Sequence, residues 1–356
     1  MTMSRQQTIF ITGIAGFIGF HVAQRLVKDG WSVVGLDNCN DYYDPKLKEA
    51  RLALLGDSVR FYRGNLEDKG LVERIFSEHQ PQVVCHLAAQ AGVRYSIEHP
   101  EAYVSSNILG FLNILESCRM HMPHHLVYAS SSSVYGNNTH VPFSTDDRVD
   151  HPASMYAVSK RTNELMAECY SHLYGIPATG LRFFTVYGPW GRPDMAYFSF
   201  ANNIMSGTPI NIYNHGKLSR DFTSIDDIVE SIVRLLPMPP ASKLGTAASL
   251  GAAASLAESA SLANGASLGT AASHRLLNIG NGAPVNLLEF VEILEQKLGR
   301  TAERNLVEMQ PGDVVQTWAD CTDLFELTGF RPNTPLDTGL ERFAEWFRAY
   351  YHGAQP

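Results

Sequence analysis

Thr8-Ile-Phe-Ile-Thr12-Gly13-Ile-Ala-Gly16-Phe-Ile-Gly19 decides how the rest of the chain reads. Residues 8–12 are a short β-branched and aromatic run, which predicts a buried strand. Residues 17–28 then follow helical periodicity and stop at Gly30. Three glycines occupy the junction. They permit a tight turn, close approach of the backbone to a pyrophosphate, and close packing of helix on strand. The helix N-terminus would face the phosphate charge. A glycine triplet alone is a weak signal, but a strand before it and a helix after it make it a dinucleotide-binding turn. A second strand, over 32–36, runs into Asp37. A carboxylate there accepts hydrogen bonds from a ribose diol and repels a 2′-phosphate, which favours NAD over NADP.

The pattern repeats outward from this unit. Strands are predicted over 59–63, 83–87 and 126–130, and helices over 71–79 and 102–120. Such alternation builds a doubly wound parallel α/β sheet of Rossmann type. Asn65-Leu66 and Leu87-Ala88-Ala89-Gln90 fall at the carboxyl ends of strands, where these sheets bind ligands. Residues 155–173 predict a long helix with Ser154 as N-cap, closed by Gly175 and Pro177. Beyond 179–186 the chain becomes turn-rich at Gly188-Pro-Trp-Gly-Arg-Pro193. The expected organisation is an NAD-binding domain over 1–182, rejoined around 221–236. A smaller C-terminal α/β substrate-binding domain is expected over 183–220 and 275–356. Residues 241–274 are mostly Ala, Ser, Leu and Gly. Their small side chains bury little area against their ordering entropy, so a mobile surface insertion is expected.

Composition excludes several classes. The chain has 356 residues, 45% hydrophobic and 18% charged, with net charge −8, an ordinary soluble balance without the basic footprint of a nucleic-acid binder. The 5 cysteines are scattered without C-x-x-C spacing, as in a reduced, cytoplasmic protein. The apolar stretch 9–23 is broken by the glycines and reads as strand, turn and helix. No apolar run reaches the roughly 18–20 residues of a membrane span. His121, His124 and His125 lack metal-ligand spacing, and no metal is expected.

Tyr156 and Lys160 are one helical turn apart and share a face. A phenol with pKa about 10 is a poor base at neutral pH. A nearby ammonium and a cationic nicotinamide ring favour the phenolate. Tyr156 could then take a hydroxyl proton as hydride leaves the same carbon, with Ser131, in the run Ser130–Ser133, hydrogen-bonding the reacting oxygen.

With these motifs in place the chain resembles the extended short-chain dehydrogenase/reductases. Within them it is most similar to the nucleotide-sugar epimerases of the UDP-glucuronate 4-epimerase type. The segments carrying the closer match are Leu36-Asp-Asn-Cys-Asn-Asp-Tyr-Tyr-Asp, His86-Leu-Ala-Ala-Gln-Ala-Gly-Val-Arg-Tyr-Ser, Arg182-Phe-Phe-Thr-Val-Tyr-Gly-Pro-Trp-Gly-Arg, Arg220-Asp-Phe-Thr-Ser-Ile-Asp-Asp and Gln310-Pro-Gly-Asp-Val. The resemblance implies NAD held by Gly13, Gly16, Phe17, Ile18 and Gly19 at the turn and by Asp37 and Asn38 after the second strand. Asn65, Leu66, Leu87, Ala88, Ala89, Gln90, Tyr156, Lys160 and Phe183 complete that site. It also implies a UDP-sugar substrate, with Arg192, Arg220 and Asp313 around the nucleotide and Ser132, Ser133, Thr185 and Arg94 around a sugar carboxylate. Arginine suits both anions through paired donors. Asn65 stands where Asp is usual, and Ser131 where Thr is frequent. The helices at 102–120 and 155–173 resemble a pair that forms a four-helix bundle in homodimers.

An absence narrows the expected reaction. In the related 4,6-dehydratases an Asp-Glu pair follows the Ser or Thr, and in the UDP-glucuronate decarboxylases a Glu precedes Val-Tyr-Gly. Here Ser132 and Ser133 hold those places. Elimination loses its proton donor and acceptor, whereas C4 epimerisation through a 4-keto sugar needs neither. Neutral-sugar 4-epimerisation of UDP-glucose or UDP-N-acetylhexosamine stays open as an alternative. Decarboxylation is disfavoured.

Overall fold

The computed structural model describes residues 7–240, 274–309 and 315–353. Its main sheet has 7 strands, all parallel, in the order β10–β6–β5–β4–β1–β2–β3. The strands are β1 (Thr8–Thr12), β2 (Ser32–Asp37), β3 (Val59–Arg63), β4 (Val83–His86), β5 (His125–Ser131), β6 (Ala178–Phe183) and β10 (His274–Ile279). β4, β6 and nearly all of β1 are buried. That is the signature of a sheet covered on both faces, and it explains apolar runs without alternation. The order reverses beside β1, between β4 and β2. The crevice at the carboxyl ends of those strands is the ligand position of a doubly wound sheet.

The helices obey local chemistry. Phe17–Lys28 packs Phe17, Phe20, Val22, Ala23 and Leu26 inward. Asp68 caps Lys69–His79 by accepting from Leu71 N, and Ser154 caps Met155–Tyr174 by accepting from Ala157 N. Gly175, at φ 73°, ends that helix. Two findings depart from the sequence reading. Pro45–Leu55 is a helix that was not expected. The stretch predicted as one helix over 102–120 is Pro100–Tyr103, a π-helical segment Val104–Leu109, and Gly110–His121.

A smaller sheet joins β7 (Thr185–Tyr187), β11 (Pro284–Asn286) and β13 (Gln316–Thr317) to β9 (Ser219–Ser224). β8 (Ile210–Tyr213) pairs with β12 (Arg304–Val307). Helices Ala196–Ser206, Leu287–Leu298 and Leu336–Tyr351 enclose a second core around Tyr197, Phe222, Phe290 and Phe343. Helix Ile225–Leu235 instead packs into the core of the main sheet, against Phe17–Lys28. Strand β10 also belongs to the main sheet, although the sequence reading grouped 275–356 with the second domain. Residues 241–273 of the Ala/Ser segment lie outside the described residues.

Candidate active site

The glycine turn is built so that only glycine fits. Gly13 adopts φ +72°, and its N–H donates to Leu36 O at 2.7 Å. A Cβ at Gly13 would lie 2.8 Å from Ala88 N, and one at Gly19 would lie 2.1 Å from Gly13 O. The turn thus touches the loop after β4 on one side and the first helical turn on the other. Gly16 caps the helix without a side chain, leaving its first N–H groups facing the crevice.

Asp37 ends β2 with 7% exposure. Its carboxylate accepts from Ala15 N (3.1 Å) and Cys39 N (2.8 Å). Lys48 from the unexpected helix brings its Nζ within 3.7 Å of it. Sequence reading missed Lys48 because no apolar periodicity marks its helix. Asn38 Nδ2 donates to Asn65 Oδ1 at 2.9 Å.

The loop after β4 is held from the opposite side. Asn107, in the π-helical segment, accepts from Gln90 N (2.7 Å) and donates to Gln90 O (3.0 Å) and Ser159 Oγ (2.9 Å). Asn163 Nδ2 donates to Asn107 O at 2.8 Å. One asparagine therefore locks this loop to the helix that carries Tyr156 and Lys160. It too went unread, since a π-segment has no sequence period of its own.

Tyr156, Lys160 and Ser131 converge. Lys160 is 2% exposed and donates to Ala129 O at 3.0 Å. Burial pulls its ammonium down to about 8. Burial pushes the Tyr156 phenol up, opposed by a hydrogen bond with Ser131 and by the charge of Arg192. The counterweights are therefore Ser131 and Arg192, where the sequence reading expected the Lys160 ammonium. Lys160 instead faces the β5 carbonyl. Ser131 Oγ also donates to Ser133 Oγ at 3.1 Å and accepts from Ser133 N.

A cavity of about 930 Å³ runs from the glycine turn past Tyr156 to β8, β9 and β13. The expected residues Gly13, Gly16, Phe17, Ile18, Gly19, Asp37, Asn38, Leu66, Leu87, Ala88, Ala89, Gln90 and Phe183 line it. So do Tyr156, Lys160, Ser131, Ser132, Ser133, Thr185, Arg94, Arg192 and Arg220. Asn65 is not among its lining residues and is tied to Asn38 instead. Asp313 lies outside the described residues. Arg94 stacks over the Tyr213 ring at 5.4 Å, spanning the cavity to β8. Arg220 Nη1 donates to Ser219 O and Val315 O at 3.0 and 3.2 Å. Arg192 is paired with Asp194, which also accepts from Tyr42 OH at 3.1 Å. Burial works against the Arg192 charge, but Asp194 outweighs it and holds the guanidinium above its ordinary value.

Among the described residues three carboxylates line the cavity: Asp37, Glu67 and Asp194. Each is already occupied, Asp37 by backbone N–H groups, Glu67 by the Ser105 and Ser106 hydroxyls, and Asp194 by Arg192 and Tyr42. Among the described residues no group of ≥ 3 metal-ligating side chains is present. No described helix is long and apolar enough to cross a membrane.

Comparison with known proteins agrees with this geometry. The profile of the NAD dependent epimerase/dehydratase family matches residues 9–251. A Staphylococcus aureus relative, Protein CapI, is 50% identical over 344 residues, covering 96% of this chain and 99% of the relative. A probable UDP-glucuronate 4-epimerase of Rhizobium meliloti is 48% identical over 346 residues, covering 97% and 98%. The crystal structure of UDP-glucuronic acid 4-epimerase from Bacillus cereus, in complex with UDP-glucuronic acid and NAD, superposes with TM-score 0.82. It is 30% identical and covers 97% of this chain and 100% of that one. A strand–glycine turn–helix unit, a Tyr-x-x-x-Lys helix beside it and similarity across nearly the full length place this chain in the NAD dependent epimerase/dehydratase family.

Proposed function

We propose that this chain epimerises C4 of UDP-glucuronate, giving UDP-galacturonate, with NAD retained through the cycle. The observation that carries the reading is the make-up of the wall around Tyr156. Hydroxyls and arginines are plentiful there, and among the described residues every lining carboxylate is already hydrogen-bonded within the protein.

NAD fits the residues present. The glycine turn keeps open a cradle that any Cβ would close, and Asp37 with Lys48 stands where a ribose diol would sit. Gly13, Gly16, Phe17, Ile18 and Gly19 would hold the pyrophosphate side, and Asn38, Leu66, Ala88, Gln90 and Phe183 the remainder. When bound, NAD supplies a reversible acceptor for the C4 hydride. The protein's part is proton handling and orientation. Tyr156 takes the C4 hydroxyl proton and returns it after the sugar has presented its other face. Ser131 hydrogen-bonds the same oxygen. Ser131 and the charge of Arg192 favour the phenolate, while Lys160 lines the same cavity with its ammonium held against Ala129 O.

Ser132, Ser133 and Thr185 line the sugar end, with Arg94 and Arg192 near. They suit a uronate carboxylate. Held near the ring plane, that carboxylate cannot align its C–C bond with the C4 ketone, so carbon dioxide is retained. Arg220 and Asp313 would take the nucleotide. Two facts support a homodimer. Gly110–His121 and Met155–Tyr174 pack side by side, and Leu165 and Leu173 on the second, with Val104 and Leu109 in the π-helical segment leading into the first, are exposed. A second copy of the same pair would cover them.

The test is parallel incubation of the NAD-loaded protein with UDP-glucuronate and UDP-glucose, followed by separation of products. UDP-galacturonate from the first, and little or no UDP-galactose from the second, is expected. Turnover of UDP-glucose alone would overturn the uronate assignment, and UDP-pentose as main product would overturn epimerisation.

A further inference from the structure

Arg51 is fully buried, and among the described residues no carboxylate pairs with it. It lies on the inward face of Pro45–Leu55. Its Nη1 donates to Ala15 O (2.7 Å) and Tyr43 OH (2.8 Å), and its Nη2 to Trp190 O (2.7 Å) and Gly191 O (3.2 Å). Its Nε is buried without a partner. Taking a guanidinium out of water against neutral acceptors alone is unfavourable, because no opposite charge repays its lost hydration. An aliphatic side chain would avoid that cost, so the charge calls for a use.

The acceptors indicate one. Ala15 is inside the glycine turn proposed to cradle the NAD pyrophosphate. Trp190 and Gly191 precede Arg192, proposed to meet the UDP-sugar. One rigid fork thus joins two turns far apart in sequence, each facing an anion. The second turn is held in an unfavourable backbone conformation, with Trp190 at φ +60°. Its indole is packed between Phe20 (5.7 Å), Trp346 (5.3 Å) and Tyr350 (5.0 Å). Arg51 grips the backbone of that residue while the rings grip its side chain.

We propose that Arg51 is a positioning residue that couples the two anion sites: order at the glycine turn fixes the Arg192 turn, and the reverse. It also places positive charge behind both. The inference rests on the function proposed above. Coupling of this kind is reciprocal in binding free energy, so a ligand at the second site tightens binding at the first, and since affinity differences fall mostly in dissociation, slower loss of the first ligand is the expected sign of it.

The experiment measures release of NAD from the NAD-loaded protein, with and without saturating UDP, reading free NAD with an auxiliary dehydrogenase. UDP binding is followed separately by calorimetry. In the unaltered protein UDP should slow release by about 5-fold or more, the lower end of common coupling strengths. Arg51→Met and Arg51→Lys should release NAD faster, and UDP should no longer slow it. Lysine keeps the charge but cannot bridge four acceptors. If Arg51→Met does not fold, Arg51→Lys carries the comparison, with its circular dichroism and Tm as controls. Full UDP protection in a folded Arg51 variant overturns the proposal. So does UDP that binds the unaltered protein without slowing release. If UDP does not bind at all, the UDP-sugar reading fails, and this proposal with it.

Discussion

Lys160 sets the terms at the residue scale. Its buried ammonium falls from its ordinary 10.5 to about 8. A drop of that size corresponds to about 3 kcal/mol of destabilisation of the charged form. The folded pKa lies below the unfolded one, so the penalty is full below about pH 8 and fades as pH rises towards 10.5. Lys160→Met should therefore lose turnover by about 100-fold or more, the scale of general acid–base contributions, without losing thermal stability at pH 7. Its Tm relative to the unaltered protein should decline above pH 8. Tyr156→Phe should also lose turnover, but with no such stability difference between pH 8 and 10, because burial raises the phenol and its own effect on stability begins only above its ordinary value of 10.0. A Lys160→Met protein that melts well below the unaltered one at pH 7 would contradict the burial argument. The convergence of Tyr156, Lys160 and Ser131 on one cavity was legible in part because helix spacing alone puts the first two on one face. Lys48, Asn107 and Arg51 were not. Their roles depend on partners up to 140 positions away, which no local pattern encodes.

At the scale of elements, the glycine turn is the most constrained junction. Gly19→Ala would drive a Cβ to 2.1 Å from Gly13 O, so the helix must move off the turn. The expected cost is about 1–3 kcal/mol, as for overpacking, together with loss of co-purified NAD. Calorimetry and the 260/280 nm absorbance ratio would check both, and an unchanged ratio would show that the turn is not where NAD sits. Where apolar burial dictates them, strands and helices were read to the residue, as over 8–12 and 17–28, or within two residues, as over 32–36 and 71–79. The helix Pro45–Leu55 escaped because its inward face carries Lys48 and Arg51 beside Leu47 and Leu55, which erases the apolar stripe. Strand β10 escaped because it follows the long Ala/Ser segment, and only pairing with β6 reveals its sheet.

For the whole molecule, the cavity exists because the main sheet and the smaller β9 unit face each other across Tyr156. The opposite side of the helix bearing Tyr156 shows Leu165 and Leu173, 50% and 60% exposed. Changing both to Lys should convert a dimer to a monomer in sedimentation velocity; a monomeric unaltered protein would end the dimer proposal. The helix that would form the interface also carries Tyr156 and Lys160, the proposed catalytic pair, so the monomer should lose activity as well as stability.

In the proposed reaction C4 inverts by removal and return of its own hydride. UDP-glucuronate deuterated at C4, incubated with the NAD-loaded protein in ordinary water, tests it directly. Mass and proton spectra of the separated UDP-galacturonate should show the deuterium kept at C4. Product with hydrogen from solvent at C4 would mean that the carbon is inverted by deprotonation, and would contradict the account.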